Sequence, residues 1–591
     1  MKRFALCVTL TCMAWFAIFN SSAQGIEIDS TFSTFCEIYP FESIESISSL
    51  TIEGDISLNN DTSLARVIVE DVSGFQYMVL EAYPLICEDL DFSVKDYCDE
   101  TCALEQCKPI SVIIQIIDAE LKIDYLSYET DPKENPAESR YQAKRAKDEE
   151  KIDIMNERIP EFQMNWTSGD NSLVASYYDQ KRKMFGDGYN LLGYDYYSDG
   201  VFEFLGHQDY PKVDPDLVRH FDWRERHGAN DSLSPYWDGD TLGTGWLTYS
   251  KNQGISCNSC WTFSSLGTLE AIANLFTTDH IDYNLSEQDL LSCSRAGDCE
   301  GGDVDTALRY ILYHDVVTEE CFPYQAQDYT MLPCTTELKC STPDSTLRMD
   351  GIKFYPYNSV YFKEDSLRVK LIEKGPLVFN FEVEPLKYHS VVLVGFYLQP
   401  DSTLYWVIKE SKNPDWGENG FGKIMLESYI SAYAVIPPIY QNGDTLPTTC
   451  IDKDGDGYYF WGIGDKPDTC DCLDIEDCND NDSLVGGYDE KYNCTCLLEM
   501  DSLAHHVRTN VTWEDTIYVN YEVIIDSGAC LTIRGYTAFA PEAMVLVKPG
   551  GKLILDSAYL TKACPELWDG IEVRGSDRSQ FYDEYFGVVE V

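Results

Sequence analysis

Cysteine placement constrains this chain more than any other feature. The 591 residues hold 22 cysteines, a density that belongs in an oxidising compartment, where disulfides persist. Cys7 and Cys12 lie close to the start, and the rest form three groups. Five run from Cys36 to Cys107, seven from Cys257 to Cys340 and eight from Cys450 to Cys564. The middle group is odd, so pairing within it makes three bonds and leaves one thiol over. A free thiol in a disulfide-rich region calls for a chemical reason.

The N-terminus agrees with the compartment. Lys2 and Arg3 precede an apolar run from Phe4 to Phe19, and Ser21, Ser22 and Ala23 follow. That is the layout of a secretory signal over residues 1–23, and the run is short for a membrane span. No later segment reaches about 18 uninterrupted apolar residues, so no membrane span is expected and the chain is read as secreted or extracellular. Charge narrows the partners: 44 Lys and Arg against 100 Asp and Glu give −56. Nucleic acid and anionic lipid would repel such a chain. An acidic excess suits a soluble secreted or calcium-binding protein.

The length predicts about three to five domains. Residues 24–128 alternate apolar and polar in short runs, such as Ser49-Leu-Thr-Ile-Glu, and predict a small β-sandwich. Residues 129–160 turn to Pro and then dense Lys, Arg and Glu, which predicts a linker and an exposed helix. From Asp214 to about Tyr440 the pattern is mixed α and β. From 441 to 498 Asp, Asn, Gly and Cys dominate. Beyond 499 the chain is β-like again: Asp526-Ser-Gly-Ala-Cys-Leu-Thr-Ile and Lys548-Pro-Gly-Gly-Lys-Leu-Ile-Leu align 22 residues apart, with Asp569-Gly-Ile-Glu-Val a partial third copy. That period predicts coils of a parallel β-helix, with an ordinary antiparallel module as the alternative.

The chemistry concentrates in Lys251-Asn-Gln-Gly-Ile-Ser-Cys-Asn-Ser-Cys-Trp-Thr-Phe-Ser-Ser265. Cys260 opens a segment with Phe263, Leu266, Leu269 and Ile272 at helical spacing, which would place its sulfur on the positive end of a helix dipole. Gln253 can bring its amide beside the Cys260 N–H, giving two donors for an oxyanion. Cys257 and Cys260 alone also fit a redox pair or half a zinc site.

This stretch resembles the papain-like cysteine peptidases, whose motif reads Gln-x-x-x-Cys-Gly-Ser-Cys-Trp. The resemblance covers roughly residues 214–440 and includes Phe221-Asp-Trp-Arg, Leu285-Ser-Glu-Gln, Cys299-Glu-Gly-Gly, Phe322-Pro-Tyr, Gly375-Pro-Leu, Tyr388-His-Ser-Val-Val-Leu-Val-Gly-Phe and Trp416-Gly-Glu-Asn-Gly-Phe. It implies a two-lobed domain, one helical and one barrel-like, and a cofactor-free peptidase acting on protein or peptide substrates. It implies that Cys260 is the nucleophile, His389 its proton shuttle and Gln253 an oxyanion donor. It also implies pairing of Cys257 with Cys299, Cys293 with Cys334 and Cys321 with Cys340, which leaves Cys260 free.

Four departures touch the site. Asn258 stands at a family glycine, a position Asn can fill if the backbone is left-handed. Glu410 stands at the asparagine that orients the histidine; a carboxylate can accept the same N–H and hold an imidazolium. Asn413 is a fallback orienter. Lys412 replaces a shielding tryptophan and is expected to pair with Glu410. The gap from Pro376 to His389 is short, and residues 229–251 are expected to build a replacement wall.

The flanks complete the reading. Residues 129–213 look like a propeptide, with processing expected near Lys212–Pro215. Asp452-Lys-Asp-Gly-Asp-Gly-Tyr and Asp477-Cys-Asn-Asp-Asn-Asp482 resemble thrombospondin type 3 calcium repeats. Asp452, Asp454, Asp456, Asp477, Asp480 and Asp482 are the candidate ligands of a structural Ca2+. The twelfth-position glutamate of an EF-hand is missing, since residue 463 is Ile. The overall expectation is a multidomain α+β protein: signal, β-sandwich, propeptide, papain-like endopeptidase (214–440), calcium segment (441–498) and β-helix (499–591). The rival reading is an attenuated peptidase domain serving as an adhesin. In either case the flanking β domains are candidates for cell-surface or polysaccharide contact.

Overall fold

The structure is a computed structural model that describes residues 24–41, 44, 46–94, 103–185, 192–203, 213–237, 239, 241–326, 331–356, 364–384, 387–426, 431–575 and 586–591. The signal over 1–23, Cys98, Cys102 and the processing position at Lys212 fall outside them. No helix among the described residues is long and apolar enough to cross a membrane.

Residues 24–129 form two antiparallel sheets. One joins Gln24–Phe32, Ala119–Glu129, Ile47–Leu58 and Asp91–Ser93, with Ala103–Cys107 also on Ile47–Leu58. The other joins Cys36–Ile38, Pro109–Ile117, Leu64–Asp71 and Gln76–Ala82. Alternation in Ile47–Leu58 turns Leu50, Ile52 and Ile56 into the core, where they share an apolar cluster with Val67, Val69, Val79 and Ile114. Period-2 patterning of this kind buries one face and wets the other.

The helix Pro136–Arg158 departs from the expectation of an exposed element. It buries Arg140, Lys147, Asp148 and Lys151 as well as Met155. The charges are buried because they are paired: Lys151 and Arg66 both meet Glu81, at 2.8 and 2.9 Å. Arg140 lies over the rings of Tyr77 and Tyr177 at 4.5 and 3.8 Å. A charged stretch thus docks on the first domain through ion pairs and cation–π contacts rather than an apolar stripe.

The chain then enters an eleven-stranded sheet. Its centre is the antiparallel run Phe421–Met425, Leu404–Lys409, Lys387–Leu398, Leu377–Glu384, Ser431–Gln441 and Thr346–Pro356. At one margin Tyr197–Glu203 adds in parallel to Phe421–Met425, and Asn165–Ser168 pairs with it. The upstream segment is therefore continuous with the sheet that carries His389. Packed across that sheet is the helix Cys260–Thr277, all of whose residues are buried. The sequence shows one apolar stripe there, whereas the fold encloses the helix on every side. Three disulfides, Cys257–Cys299, Cys293–Cys334 and Cys321–Cys340, brace the loops around it.

Residues 446–484 hold little regular structure and lie against the back of this domain. Trp246 and Tyr236 pack on Phe460, with ring centroids 5.5 and 5.8 Å apart. Residues 229–251 thus do not form the expected wall alone; their aromatics seat the Asp-rich segment. Beyond them lies a β-solenoid of two parallel sheets. Val523 pairs with Val545 and Cys530 with Lys552, both in parallel, which matches the 22-residue repeat and excludes the antiparallel alternative there.

Candidate active site

The helix beginning at Cys260 and the strand Lys387–Leu398 bring the two central residues together. Cys260 is the first residue of its helix, so its sulfur sits at the positive end of the peptide dipoles. His389 lies on Lys387–Leu398, and Glu410 directly follows the neighbouring antiparallel strand Leu404–Lys409, where Val392 pairs with Lys409. His389 Nε2 donates a short hydrogen bond to Glu410 Oε1. That leaves Nδ1, buried and without a hydrogen-bond partner, as the nitrogen available to the thiol.

The electrostatics follow from burial and these partners. Burial disfavours the Cys260 thiolate, but the charge of His389, with a contribution from Lys412, brings the thiol below its ordinary value. Burial works against the His389 imidazolium too, yet Glu410 and then Cys260 raise it to about 9. Glu410 is itself pulled down to about 2: burial opposes ionisation, and His389 and Lys412 outweigh it. The favoured state is a thiolate–imidazolium pair backed by a carboxylate.

Glu410 is held on every side. Oε1 also accepts from Tyr194 Oη at 3.0 Å, and Oε2 accepts from the Ser411 N–H at 2.7 Å. Asn413 is not needed as an orienter, and its backbone instead turns at φ 89°. The pairing of Lys412 with Glu410 expected from sequence does not form as a hydrogen bond: Lys412 Nζ is buried without a hydrogen-bond partner, 4.2 Å from the Phe185 ring centroid. The two oxygens of Glu410 are already committed to other donors.

Gln253 is buried beside the nucleophile. Its Nε2 donates to Cys257 O at 2.9 Å, and its Oε1 accepts from Ser411 Oγ at 2.6 Å. The second Nε2 proton and the Cys260 N–H are the donors left for an oxyanion. Asn258 is not left-handed, contrary to expectation, since its φ is not positive. Its backbone N–H bonds Cys299 O at 2.9 Å, and its Oδ1 accepts from the Cys260 thiol at 3.5 Å.

The site is covered. Cys260 and His389 are 4% and 1% exposed. Phe185 meets His389 edge-on at 5.6 Å, and Tyr194 reaches Glu410 from the same upstream segment. Trp416 Nε1 donates to Tyr194 O at 3.0 Å, and Asp415 accepts from the Ser172 N–H at 2.9 Å. Sequence reasoning missed Phe185 and Tyr194. Their local pattern is an aromatic-rich stretch, and only the tertiary fold carries them to the site.

Comparison with known proteins places this geometry. Residues 235–436 match the family model described as papain family cysteine protease. Chymopapain of Carica papaya is 31% identical over 232 residues, covering 36% of this chain and 60% of that protein. Peptidase 1 of Psoroptes ovis is 28% identical over 223 residues, covering 34% and 63%. The chain thus spans less than two thirds of the length of these relatives. Among solved structures, procathepsin L 3 of the Tenebrio molitor larval midgut matches with 20% identity and a TM-score of 0.36, over 52% of this chain and 94% of that one. The likeness to papain family cysteine proteases is thus confined to about a third of this chain, residues 235–436.

The carboxylates of the Asp-rich segment also converge. Asp452, Asp454 and Asp480 form one group, and Asp454, Asp456 and Asp477 a second. Asp482 falls in neither group; its Oδ1 accepts from the Leu484 N–H at 3.2 Å, and its charge acts on Asp454 and Asp456. Oxygens of Asp454, Asp456, Asp477 and Asn479 are buried without hydrogen-bond partners. Burial pushes Asp456 and Asp480 up to about 6 and Asp477 up to about 8. Buried, mutually repelling carboxylates with unmet lone pairs fit a hard divalent cation. Ile463, at the missing glutamate, is buried in the core; Asp477 and Asp480 approach from the second acidic run instead.

Proposed function

We propose that this chain is a secreted papain-like cysteine endopeptidase held latent by residues 129–213. The observation that carries the reading is the buried Cys260–His389–Glu410 arrangement at a helix N-terminus. Once the site is uncovered, Cys260 Sγ adds to the carbonyl carbon of a peptide bond. The oxyanion is held by the Cys260 N–H and the free Gln253 Nε2 proton. His389 gives its Nδ1 proton to the leaving nitrogen, the C–N bond breaks and a thioester remains. Water then attacks the thioester while Nδ1 takes its proton, and the thiol returns with the acid product. Glu410 keeps the imidazole oriented throughout and stabilises its charge whenever Nδ1 carries a proton.

Coverage by Phe185 and Tyr194 supports latency, because no peptide can approach Nδ1 while they are seated. Calcium held by Asp452, Asp454, Asp456, Asp477 and Asp480 would supply structural charge neutralisation only. The disulfides support an extracellular setting. The test is hydrolysis of a casein-type protein substrate by the full chain, before and after limited digestion with an added protease. The reading expects activity only after digestion and none from Cys260→Ala. Digestion that opens the segment but yields no activity would favour the binding-module alternative.

A further inference from the structure

Lys412 is enclosed beside the reacting groups, and its Nζ has no hydrogen-bonded partner; among the described residues only the Phe185 face and the fields of Glu410 and Cys260 reach it. It is 2% exposed, its Nζ makes no hydrogen bond, and its nearest described cover is the face of Phe185. Other buried lysines of this domain are satisfied: Lys409 donates to Thr248 and Lys251 to Glu270 and Glu287. An unpaired buried ammonium loses its hydration with no return, so such a side chain is retained where an anion meets it in another state. The acid beside it, Glu410, has both oxygens committed to His389, Tyr194 and Ser411.

Geometry says which part of a substrate that anion belongs to. His389 protonates the leaving nitrogen, so the residue after the cut bond must lie against His389, away from the oxyanion donors at Gln253. Phe185 now occupies that side, touching both His389 and Lys412. We propose that Lys412 is the carboxylate-binding residue of the leaving-group subsite, plugged by Phe185 in the latent chain. The substrate class is a peptide with a carboxylate directly after the scissile bond, as an acidic side chain or as a free C-terminus. This rests on the peptidase reading for its placement.

Binding to the Cys260→Ala full chain, opened with an added protease, tests it without turnover. Three peptides differ only in the residue after the scissile position: Glu with a C-terminal amide, Gln with a C-terminal amide, and Ala ending in a free acid. Fluorescence anisotropy should show at least tenfold tighter binding of one or both carboxylate peptides than of the Gln peptide, and the arm that gains names the source. The preference should vanish in Lys412→Met and Lys412→Gln and persist in Lys412→Arg. Equal binding of all three, or a preference unchanged by Lys412→Met, overturns the proposal. A native chain that hydrolyses nothing while the preference holds would sink the peptidase reading and leave the subsite standing.

Discussion

Glu410 takes the place where the related peptidases have an asparagine, and the change has a definite electrostatic consequence. A neutral amide can orient an imidazole; a carboxylate also stabilises its charge. With His389 raised to about 9, the imidazolium half of the pair is complete below the ordinary histidine value and is lost as pH rises through about 9, while protonation of the Cys260 thiolate, itself lowered, sets the acid limit. Glu410→Gln removes the charge, so the alkaline limb of Cys260 alkylation should move down by about one to three pH units. A pH–rate profile with a small alkylating agent checks it. Tyr194→Phe acts on the cover. A hydrogen bond to a buried charged group is worth about 1.5–3 kcal/mol, so its loss should speed Cys260 labelling in the uncut chain by about tenfold or more. These residue roles were unequally legible. Cys260, Gln253 and His389 sit in local motifs, and Glu410 keeps the motif's register. Phe185 and Tyr194 carry no motif, because their role is set by contacts across more than 200 residues of sequence.

The Asp-rich segment is the element whose stability should depend most on conditions. Asp477 is raised to about 8 and Asp456 and Asp480 to about 6. Carboxyls raised on folding weaken the folded state as pH climbs from the ordinary carboxylate range through those values. Without divalent cation, the melting temperature of this segment should therefore fall between pH 5 and 8. Calcium should reverse the trend, with a larger stabilisation at pH 8 than at pH 5, reaching about 2.7 kcal/mol at a hundredfold excess over Kd. Calorimetry with calcium or chelator at both pH values reads this out. The spacing Asp-x-Asp-x-Asp made the first acidic cluster visible in sequence. Asp477 and Asp480 were visible only as a second acidic run, and their approach to the first is set by the fold. The solenoid was legible for a simpler reason: its parallel coils repeat the sequence at the period of the pairing.

Across the whole molecule, the upstream segment and the papain-like region share one sheet and one apolar cluster. Tyr197–Glu203 pairs with Phe421–Met425, Tyr194 and Tyr197 pack tilted on Trp416, and Phe202 meets both tyrosines edge-on. A single cut near Lys212 should therefore leave the two parts together. Gel filtration of the nicked chain should give one peak until denaturant or further digestion separates them. The charged helix Pro136–Arg158 misled the sequence reading because its partners, Glu81 and Tyr77, lie in another domain. A run of Lys, Arg and Glu reads as solvated unless those partners are known. The central claim is that Cys260 is a paired, reactive thiolate under a displaceable cover. The most direct measurement is covalent labelling of the full chain with a thiol-directed epoxide peptide, located by mass spectrometry before and after limited digestion. The account predicts an adduct at Cys260 alone, absent from the intact chain, present after opening and reduced at least a hundredfold by His389→Ala. No adduct at Cys260 after opening, or labelling indifferent to His389, would contradict it.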